Sequence, residues 1–335
     1  MSRKPTMEDV KNLAGVSIST VSRVINNSKP VSPDKREAVL RAIEKLGYKP
    51  NELARSLVKK KSNTIGIILD DLGIEYMAQY IRGIDEVGKL YDYDILLYST
   101  FGDKEVQKKA VEFLSSKQVE GIIVISEHIN NEILYTIKDY EIPFVLLDKY
   151  YNPEDYRTVG FDYEGAMKAM TNLFIDYNHK NIIFLTVKSH DYSSDLKQQG
   201  FELAMSEKDL TRQIFTVKEN SVDSAYNFMA ENIDFIHKNG ITGILASSDT
   251  LAVGVIHYCY DHGISVPDDL SVSGFGNMKF SSLMRPSITT VKMTYYDVGA
   301  IAIRKLIKEL RDEEKFTESV SLKFELMQRE TVKTI

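Results

Sequence analysis

From residue 64 onward, short runs rich in β-branched and aromatic residues alternate with segments of helical periodicity. In a first series the runs cover 64–69, 93–99, 121–126, 143–148 and 158–162, and helices are predicted at 75–91, 104–117 and 130–140. In a second series the runs cover 181–187, 213–217, 242–247, 270–274 and 288–292, and helices are predicted at 163–178, 194–207, 221–239 and 249–263. Such alternation predicts two lobes, each a doubly wound parallel sheet.

A late helix at 297–312 and a final strand at 319–326 are predicted to cross back between the lobes. The body therefore comprises residues 64–335, with a first lobe of 64–161 and 293–318 and a second lobe of 162–292 and 319–335. Two such lobes bind ligands in the cleft that faces the carboxyl ends of their strands.

The first fifty residues have a different pattern, which predicts three short helices. Thr6, followed three residues later by an acid, is a capping-box start, and Gly15 ends that helix. Ser17 can cap a second helix over 18–26, and Ser32 with the proline after it begins a third. Two short helices joined by a glycine turn and braced by a third form a helix-turn-helix domain, here residues 1–50.

The second helix of such a domain enters the major groove of DNA, with its N-terminal residues at the base edges. Ile18, Ser19 and Arg23 are then the outward-facing residues, and Arg23 can contact guanine in a bidentate manner. Phosphate contacts position the helix without specifying the bases. The other predicted DNA-binding residues of the domain are Thr6, Ser17, Thr20, Ser22 and Asn26.

The charge of the chain is distributed unevenly. Residues 1–63 contain fourteen lysines and arginines against six acidic residues, whereas the whole chain has a net charge of −6. A basic head on an acidic body indicates that only the head meets a polyanion.

Several motifs of the head resemble the LacI/GalR (lactose-repressor) family of bacterial transcription regulators. They are Ala14-Gly-Val-Ser17, Thr20-Val-Ser-Arg-Val24 and the pattern Tyr48, Pro50-Asn51, Ala54, Leu57. The resemblance implies that residues 51–63 are a hinge that folds only on DNA. It also implies that Leu57 enters the minor groove beside Ala54 and Arg55, with Asn51 as the cap. An apolar wedge of this kind unstacks a base step and kinks the duplex.

The body resembles the sugar-binding receptor fold of the same family at Ser248–Gly254 and Pro267–Phe275. Three cleft positions depart from the sugar-binding members: Lys197 stands for an arginine, Ser248 for an asparagine and Gly276 for an aspartate. An arginine-to-lysine change is not conservative at a bidentate site. The cleft residues that complete the predicted effector site are Asp148, Phe161, Ser193, Asp249, Phe275 and Tyr295. The effector is left open: a sugar, a phosphosugar, another small molecule, or none.

Two further segments are similar to the catabolite-control branch of the family, whose members respond to a phosphorylated carrier protein. These are Leu283-Met-Arg-Pro286 and Tyr295-Tyr-Asp-Val-Gly-Ala300. The resemblance therefore implies a phosphocarrier protein as an alternative signal to a small molecule.

The remaining composition argues against other classes of protein. Metal-ligand spacings and a complete dinucleotide fingerprint are absent from the sequence, so no cofactor, metal or catalytic residue is predicted. No apolar run approaches the length of a membrane span, and no secretory signal is seen. The single cysteine, Cys259, fits a reducing compartment. We therefore expect a cytoplasmic protein with no membrane partner.

The sequence thus predicts a regulator, most simply a repressor, that binds a palindromic operator in double-stranded DNA as a homodimer. Two alternatives are a cytoplasmic small-molecule binding protein with a vestigial head and an enzyme on the same scaffold. DNA binding that weakens with salt would separate the first from the other two.

Overall fold

The computed structural model describes residues 5–26, 29–48, 62–126, 129–148, 156–188 and 192–335. The chain divides into two compact units, residues 1–63 and residues 64–335. The first unit is helical and the second contains two parallel sheets flanked by helices, so the predicted fold class is confirmed.

The described residues of the helical unit form three helices, α1 (Met7–Ala14), α2 (Ile18–Asn26) and α3 (Pro33–Leu46). Thr6 forms the predicted capping box with Asp9, and Gly15 ends α1 in the left-handed conformation at φ 65°. The α3 helix begins where expected, but the Ser32 side chain makes no capping hydrogen bond. The proline at the first helical position already fixes the backbone there.

Apolar side chains from all three helices form one small core. Its buried members are Val10, Val21, Val24, Val39, Ala42 and Tyr48. Because α2 buries only its valine face in this core, the opposite face of that helix is left at the surface.

The first lobe of the body contains five consecutive strands and three helices. These are β1 (Thr64–Leu69), α4 (Glu75–Leu90), β2 (Asp94–Ser99), α5 (Lys104–Ser116), β3 (Gly121–Ile125), α6 (Asn131–Asp139), β4 (Phe144–Leu147) and β5 (Thr158–Phe161). The sheet has the order β11-β5-β4-β3-β1-β2, in which β11 (Val320–Leu322) comes from the end of the chain, and every pair in it is parallel. Strands β1 and β3 are almost wholly buried, as expected where helices cover both faces of a sheet.

The second lobe contains four strands and four helices. These are α7 (Tyr163–Asp176), β6 (Ile182–Val187), α8 (Tyr192–Ser206), β7 (Gln213–Val217), α9 (Val222–Lys238), β8 (Gly243–Ala246), α10 (Asp249–Asp261) and β9 (Ser271–Ser273). The sheet has the order β7-β6-β8-β9 and is again parallel throughout.

The last part of the chain returns to the first lobe. It contains β10 (Thr290–Lys292), α11 (Tyr295–Leu310), β11 (Val320–Leu322) and β12 (Glu325–Met327). Strand β11 joins the first sheet beside β5, and β12 pairs with β10 in a separate two-stranded sheet.

Two sequence predictions therefore need correction. The run 288–292 does not enter the four-stranded sheet, and the predicted strand 319–326 is two strands, of which 320–322 belongs to the first lobe rather than the second. Both runs lie where the chain crosses between lobes. A short edge strand at such a place pairs with the neighbouring strand whose backbone N–H and C=O groups still lack partners.

Helices α4 and α11 approach each other closely through two glycines. A Cβ atom on Gly83 would overlap the Tyr296 carbonyl oxygen, and one on Gly299 would overlap the Tyr80 carbonyl oxygen. This contact holds Tyr80 of α4 beside Tyr295 of α11, and their rings meet edge to face at 5.2 Å between ring centres.

Within the described ranges, no helix is both long enough and apolar enough to cross a membrane. Clusters of three or more histidine, cysteine, aspartate or glutamate side chains that could hold a metal ion are likewise absent from these residues.

Candidate functional sites in the head and the cleft

The exposed face of α2 carries the residues predicted to read bases. The Ile18 side chain is 47% exposed although it is apolar, and Ser19 and Arg23 are exposed on the same helix. Val21 and Val24 on the opposite face are buried. The helix contains no acidic residue in its first turn, so its positive dipole end is left available to an anion.

A cluster of hydroxyl groups lies at the N-terminal end of α2. The Ser17 Oγ atom lies 2.8 Å from Ser19 Oγ and 2.9 Å from Thr20 Oγ1, and it accepts a hydrogen bond from the Thr20 backbone N–H at 3.2 Å. At the last residue of the helix, Asn26 donates to the Oγ atom of Ser22, which lies one turn earlier, at 3.3 Å. The structure thus brings together the polar residues predicted to contact phosphates.

Thr6 has a structural task in addition to its predicted place at the DNA. Its hydroxyl donates to Asp9 Oδ2 at 2.7 Å and accepts from the Asp9 backbone N–H at 3.4 Å. The side chain is therefore engaged in the capping box. The predicted hinge residues Asn51, Ala54, Arg55 and Leu57 lie outside the described residues.

A cleft of about 470 Å³ separates the two lobes of the body. Seven of the nine predicted effector residues line it: Asp148, Ser193, Lys197, Ser248, Asp249, Phe275 and Tyr295. Residues brought by five different segments of the chain therefore meet at the carboxyl ends of the strands, as the doubly wound topology requires.

The two other predicted residues do not line the cleft. Phe161 is wholly buried, and its ring packs edge-on against Tyr295 at 5.4 Å between ring centres. Gly276 is buried as well, and its backbone N–H donates to the Val291 carbonyl. Phe161 thus supports a cleft residue from behind. Gly276 takes a φ of 120°, which a residue with a side chain adopts only under strain, so the turn there favours glycine.

Lys197 places a cation against two aromatic rings of the cleft. Its Nζ atom lies 4.6 Å from the centre of the Phe275 ring and 5.3 Å from that of Tyr163, and it donates to the Ser247 carbonyl at 3.4 Å. Cation–π contacts of this kind stabilise a partly desolvated ammonium group. The lysine is therefore held in place by the protein rather than extended into solvent.

Asp148 is a cleft residue whose carboxyl group is shielded from water, although the residue as a whole is only half-buried. Burial raises its pKa to about 8, and the hydrogen bond with Tyr163 and the charge of Lys197 oppose that rise. Its Oδ1 atom is buried without a hydrogen-bond partner among the described residues. A group with this pKa can donate or accept near neutral pH.

Asp249 borders the cleft, but its carboxylate is occupied by the protein. Oδ2 accepts from the Met278 backbone at 2.7 Å and from the Ser281 hydroxyl at 2.6 Å, and Oδ1 accepts from the Thr290 hydroxyl at 2.5 Å. Burial raises the pKa of Asp249, and these hydrogen bonds oppose the rise. Its role is to hold the 276–282 turn against β10.

Ser248 caps α10 by accepting from the Leu251 backbone, and its hydroxyl donates to Asn220 at 2.6 Å. Asn220, Glu75, Tyr76, Tyr163 and Phe280 also line the cleft and were not predicted from the sequence. Glu75 and Tyr76 lie at the start of the helix that follows β1. A position after the carboxyl end of a strand is the feature of the sequence that could have indicated their place in the cleft. The sequence predicted Phe161 as the aromatic residue of the cleft at this point of the chain, whereas Tyr163, two residues later, lines it in the structure.

The two lobes are joined across the cleft by a direct contact: the Glu75 carboxylate of the first lobe accepts a hydrogen bond from the Lys279 backbone N–H of the second lobe at 3.1 Å. Beside it, the rings of Tyr76 and Tyr295 stack at 5.2 Å within the first lobe. A change in lobe separation must therefore break or form contacts at the mouth of the cleft.

Comparison with known proteins identifies relatives for both units. The family model described as "Bacterial regulatory proteins, lacI family" matches residues 6–51, and the "Periplasmic binding protein-like domain" model matches residues 171–332. Catabolite control protein A of Priestia megaterium is 33% identical over 98% of this chain and 99% of its own length. The HTH-type transcriptional regulator RegA of Clostridium saccharobutylicum is 34% identical over 97% of this chain and 98% of its own.

Solved structures share the whole fold. A lac repressor dimer bound to operator and the anti-inducer ONPF superposes with a TM-score of 0.87 at 23% identity, and the match covers 98% of this chain and 99% of that one. At this identity the likeness establishes the fold and not the ligand.

Proposed function

The chain belongs to the LacI family of bacterial regulatory proteins and is a DNA-binding transcription regulator, and we propose that it is a repressor which binds a palindromic operator as a homodimer in the cytoplasm. We further propose that the cleft of the body receives the signal that changes its affinity for DNA.

One observation supports the DNA-reading role most directly. The α2 helix buries Val21 and Val24 and leaves Ile18, Ser19 and Arg23 on one exposed face. An exposed isoleucine on this face suits a thymine methyl group, and an exposed arginine one turn further along suits a guanine. The hydroxyl cluster around Ser17 lies beside that face and suits the phosphate backbone.

A homodimer follows from the size of one reading helix. Nine residues, Ile18–Asn26, reach only a few base pairs, so one head alone gives little sequence specificity. Two heads related by two-fold symmetry read two half-sites, and the operator then repeats that symmetry.

The cleft suits a signal because both lobes contribute to it. A ligand between Tyr76 of the first lobe and Phe275 of the second contacts both walls and changes the free energy of closure. It alters DNA affinity only through its different affinity for the open and closed bodies. The Lys197 ammonium and the aromatic walls favour a compact ligand with both polar and apolar surface.

Fluorescence anisotropy on a library of palindromic duplexes tests the repressor. We expect tight binding to a subset of palindromes and a steep loss of affinity as salt rises, because phosphate contacts release counterions. The matched control is each palindrome with one half-site scrambled, which should bind with the affinity of random DNA. Equal affinity for palindromes and their scrambled controls would refute sequence-specific recognition.

A second candidate signal is a phosphorylated carrier protein. The segments Leu283–Pro286 and Tyr295–Ala300 favour it, together with the similarity to two catabolite control proteins A, at 33% and 32% identity. Operator titrations with the carrier in its phosphorylated and unphosphorylated forms test this role. Operator affinity that is unchanged by every form of the carrier would end it.

A further inference from the structure

A second cavity, of about 260 Å³, lies in the first lobe and is here called the side chamber. Ile74, Tyr76 and Asp148 line both the side chamber and the cleft. A ligand in the cleft can therefore extend one group into the side chamber past these three residues.

Two buried polar atoms of the side chamber lack partners. Tyr80 is 1% exposed, and its hydroxyl oxygen has no hydrogen-bond partner among the described residues; the same is true of Asp148 Oδ1. Buried polar groups in proteins are paired in the great majority of cases, because an unpaired one costs free energy. Two such atoms on the wall of one cavity can be paired at once by a single polar group of a ligand.

The wall of the side chamber selects the charge of that group. Asp70 and Asp71 line it together with Asp148, and none of its described lining residues is basic. Lys197 lines the cleft but is not among the described residues of the chamber wall. The Asp70 and Asp71 carboxylates repel anions and attract cations. Asp148, whose pKa burial raises to about 8, is largely protonated at neutral pH and becomes negatively charged more readily when a cation lies beside it.

Aromatic rings complete the wall. Tyr76 and Tyr80 meet edge to face at 6.1 Å between ring centres, and Phe101 also lines the chamber although its side chain is 75% exposed. Ring faces beside carboxylates are the surroundings in which proteins bind ammonium groups. The exposed ring of Phe101 is therefore available to a ligand at the chamber.

We propose that the side chamber binds the ammonium group of a small organic amine whose remaining part lies in the cleft. This inference rests on the proposed function, because the amine would be the effector or part of it. An ammonium group can donate hydrogen bonds both to Asp148 Oδ1 and to the Tyr80 hydroxyl.

Other occupants fit the side chamber less well. A neutral hydroxyl could pair with Tyr80 and Asp148 but gains little from Asp70 and Asp71. A carboxylate or phosphate would face three acidic side chains. Water would form hydrogen bonds with the polar atoms but would gain no favourable contact with the apolar and aromatic wall.

Three probes of similar shape distinguish these occupants: benzylamine, benzyl alcohol and benzoate. Each is titrated into the full chain without DNA, and the dissociation constant is measured by calorimetry or ligand-observed NMR. We expect benzylamine to bind about tenfold more tightly than benzyl alcohol, because hydrogen bonds to charged groups are the stronger ones. Benzoate should bind least.

Tyr80→Phe removes one unpartnered hydroxyl and nothing else, so the variant should fold as stably as the parent chain. We expect it to weaken benzylamine binding about fivefold. Asp148→Asn should weaken it further and reduce the preference for benzylamine over benzyl alcohol, with the remainder of that preference due to Asp70 and Asp71. The control is Tyr98→Phe, a tyrosine of the same lobe whose ring packs on Phe113 and does not line the chamber; it should change nothing.

Equal affinities for the three probes, failure of all three to bind, or unchanged benzylamine binding in Tyr80→Phe would each overturn the proposal. The operator titration is a separate measurement. Lost operator recognition with intact benzylamine binding refutes only the proposed function, and the reverse result refutes only the side-chamber ligand.

Discussion

The ammonium group of Lys197 and the ring of Phe275 form a contact of 4.6 Å across the wall of the cleft. The same ammonium lowers the pKa of Asp148 through its charge, against the larger effect of burial. An aromatic ring, a cation and a buried acid are thus coupled at the position where sugar-binding relatives are expected to have an arginine.

Replacing Lys197 with methionine keeps the length of the side chain and removes its charge. Since the lysine holds the pKa of Asp148 down, we expect that pKa to rise above its value of about 8 in Lys197→Met. The ¹³Cγ chemical shift of Asp148, followed across pH, measures the change. Lys168→Met, which removes a surface ion pair with Glu207, is the control and should leave the titration in place.

Asp148 should also make the stability of the protein depend on pH. Its pKa is raised in the folded state, from 3.8 to about 8, so the protonated form is favoured by folding. Its contribution to stability is complete below about pH 4 and is lost as the pH rises to about 8. Asp148→Asn should therefore unfold at progressively higher urea concentration than the parent chain across this window. The exposed Asp234→Asn serves as control, and a constant difference between parent and Asp148→Asn at all pH values would contradict the assignment.

Asp249 should be important for stability rather than for ligand contact. Asp249→Ala leaves the Met278 N–H and the Ser281 and Thr290 hydroxyls without their acceptor. Each buried donor left unpaired costs about 1–3 kcal/mol, so chemical denaturation should show a loss of several kcal/mol. Asp249→Asn retains an acceptor oxygen and should lose far less. Two variants of equal stability would mean that the carboxylate does not hold the turn.

The cleft shows which parts of the molecule could be predicted from the sequence. Capping residues fixed the helices of the head, because caps are local: Thr6 and Gly15 act within one turn of where they stand. Phe161 and Tyr163 were harder to separate, since one ends a strand and the other begins a helix. The backbone at Asp162 between them decides which ring faces the cleft, and hydrophobic periodicity carries no information about that bend.

The pairing of strands that lie far apart in the sequence was the other feature that could not be predicted. A three-residue strand such as Val320–Leu322 has too short a pattern to specify its sheet, and its place beside β5 depends on an edge formed some 160 residues earlier. Tyr80 is a similar case. In the sequence it fits one more apolar position of a helix. That its hydroxyl group lacks a hydrogen-bond partner among the described residues is apparent only from the packing of the folded lobe.

The contact between α4 and α11 should tolerate no side chain at Gly83. Gly83→Ala places a methyl group against the Tyr296 carbonyl, and overpacking of this kind costs about 1–3 kcal/mol. Gly88→Ala in the same helix is the control, because its nearest neighbour would be the movable end of Ile95 at 3.3 Å. Alanine should be neutral or favourable there through its helix propensity. Thermal unfolding of both variants measures the difference, and equal melting temperatures would show that the helices can separate without cost.

Arg23 should carry much of the discrimination between operator and random DNA. It lies exposed on α2, the helix that also exposes Ile18, and a bidentate contact from arginine to guanine is worth about 1–3 kcal/mol of discrimination. We expect Arg23→Ala to lose that preference in competition titrations against scrambled duplex while the helix stays folded, because its buried face is untouched. Arg41→Ala is the control, since that exposed arginine lies on α3 and pairs with Glu37; it should keep the ratio of operator to random affinity. If Arg23→Ala also keeps that ratio, the specificity of the head comes from residues other than the arginine of α2.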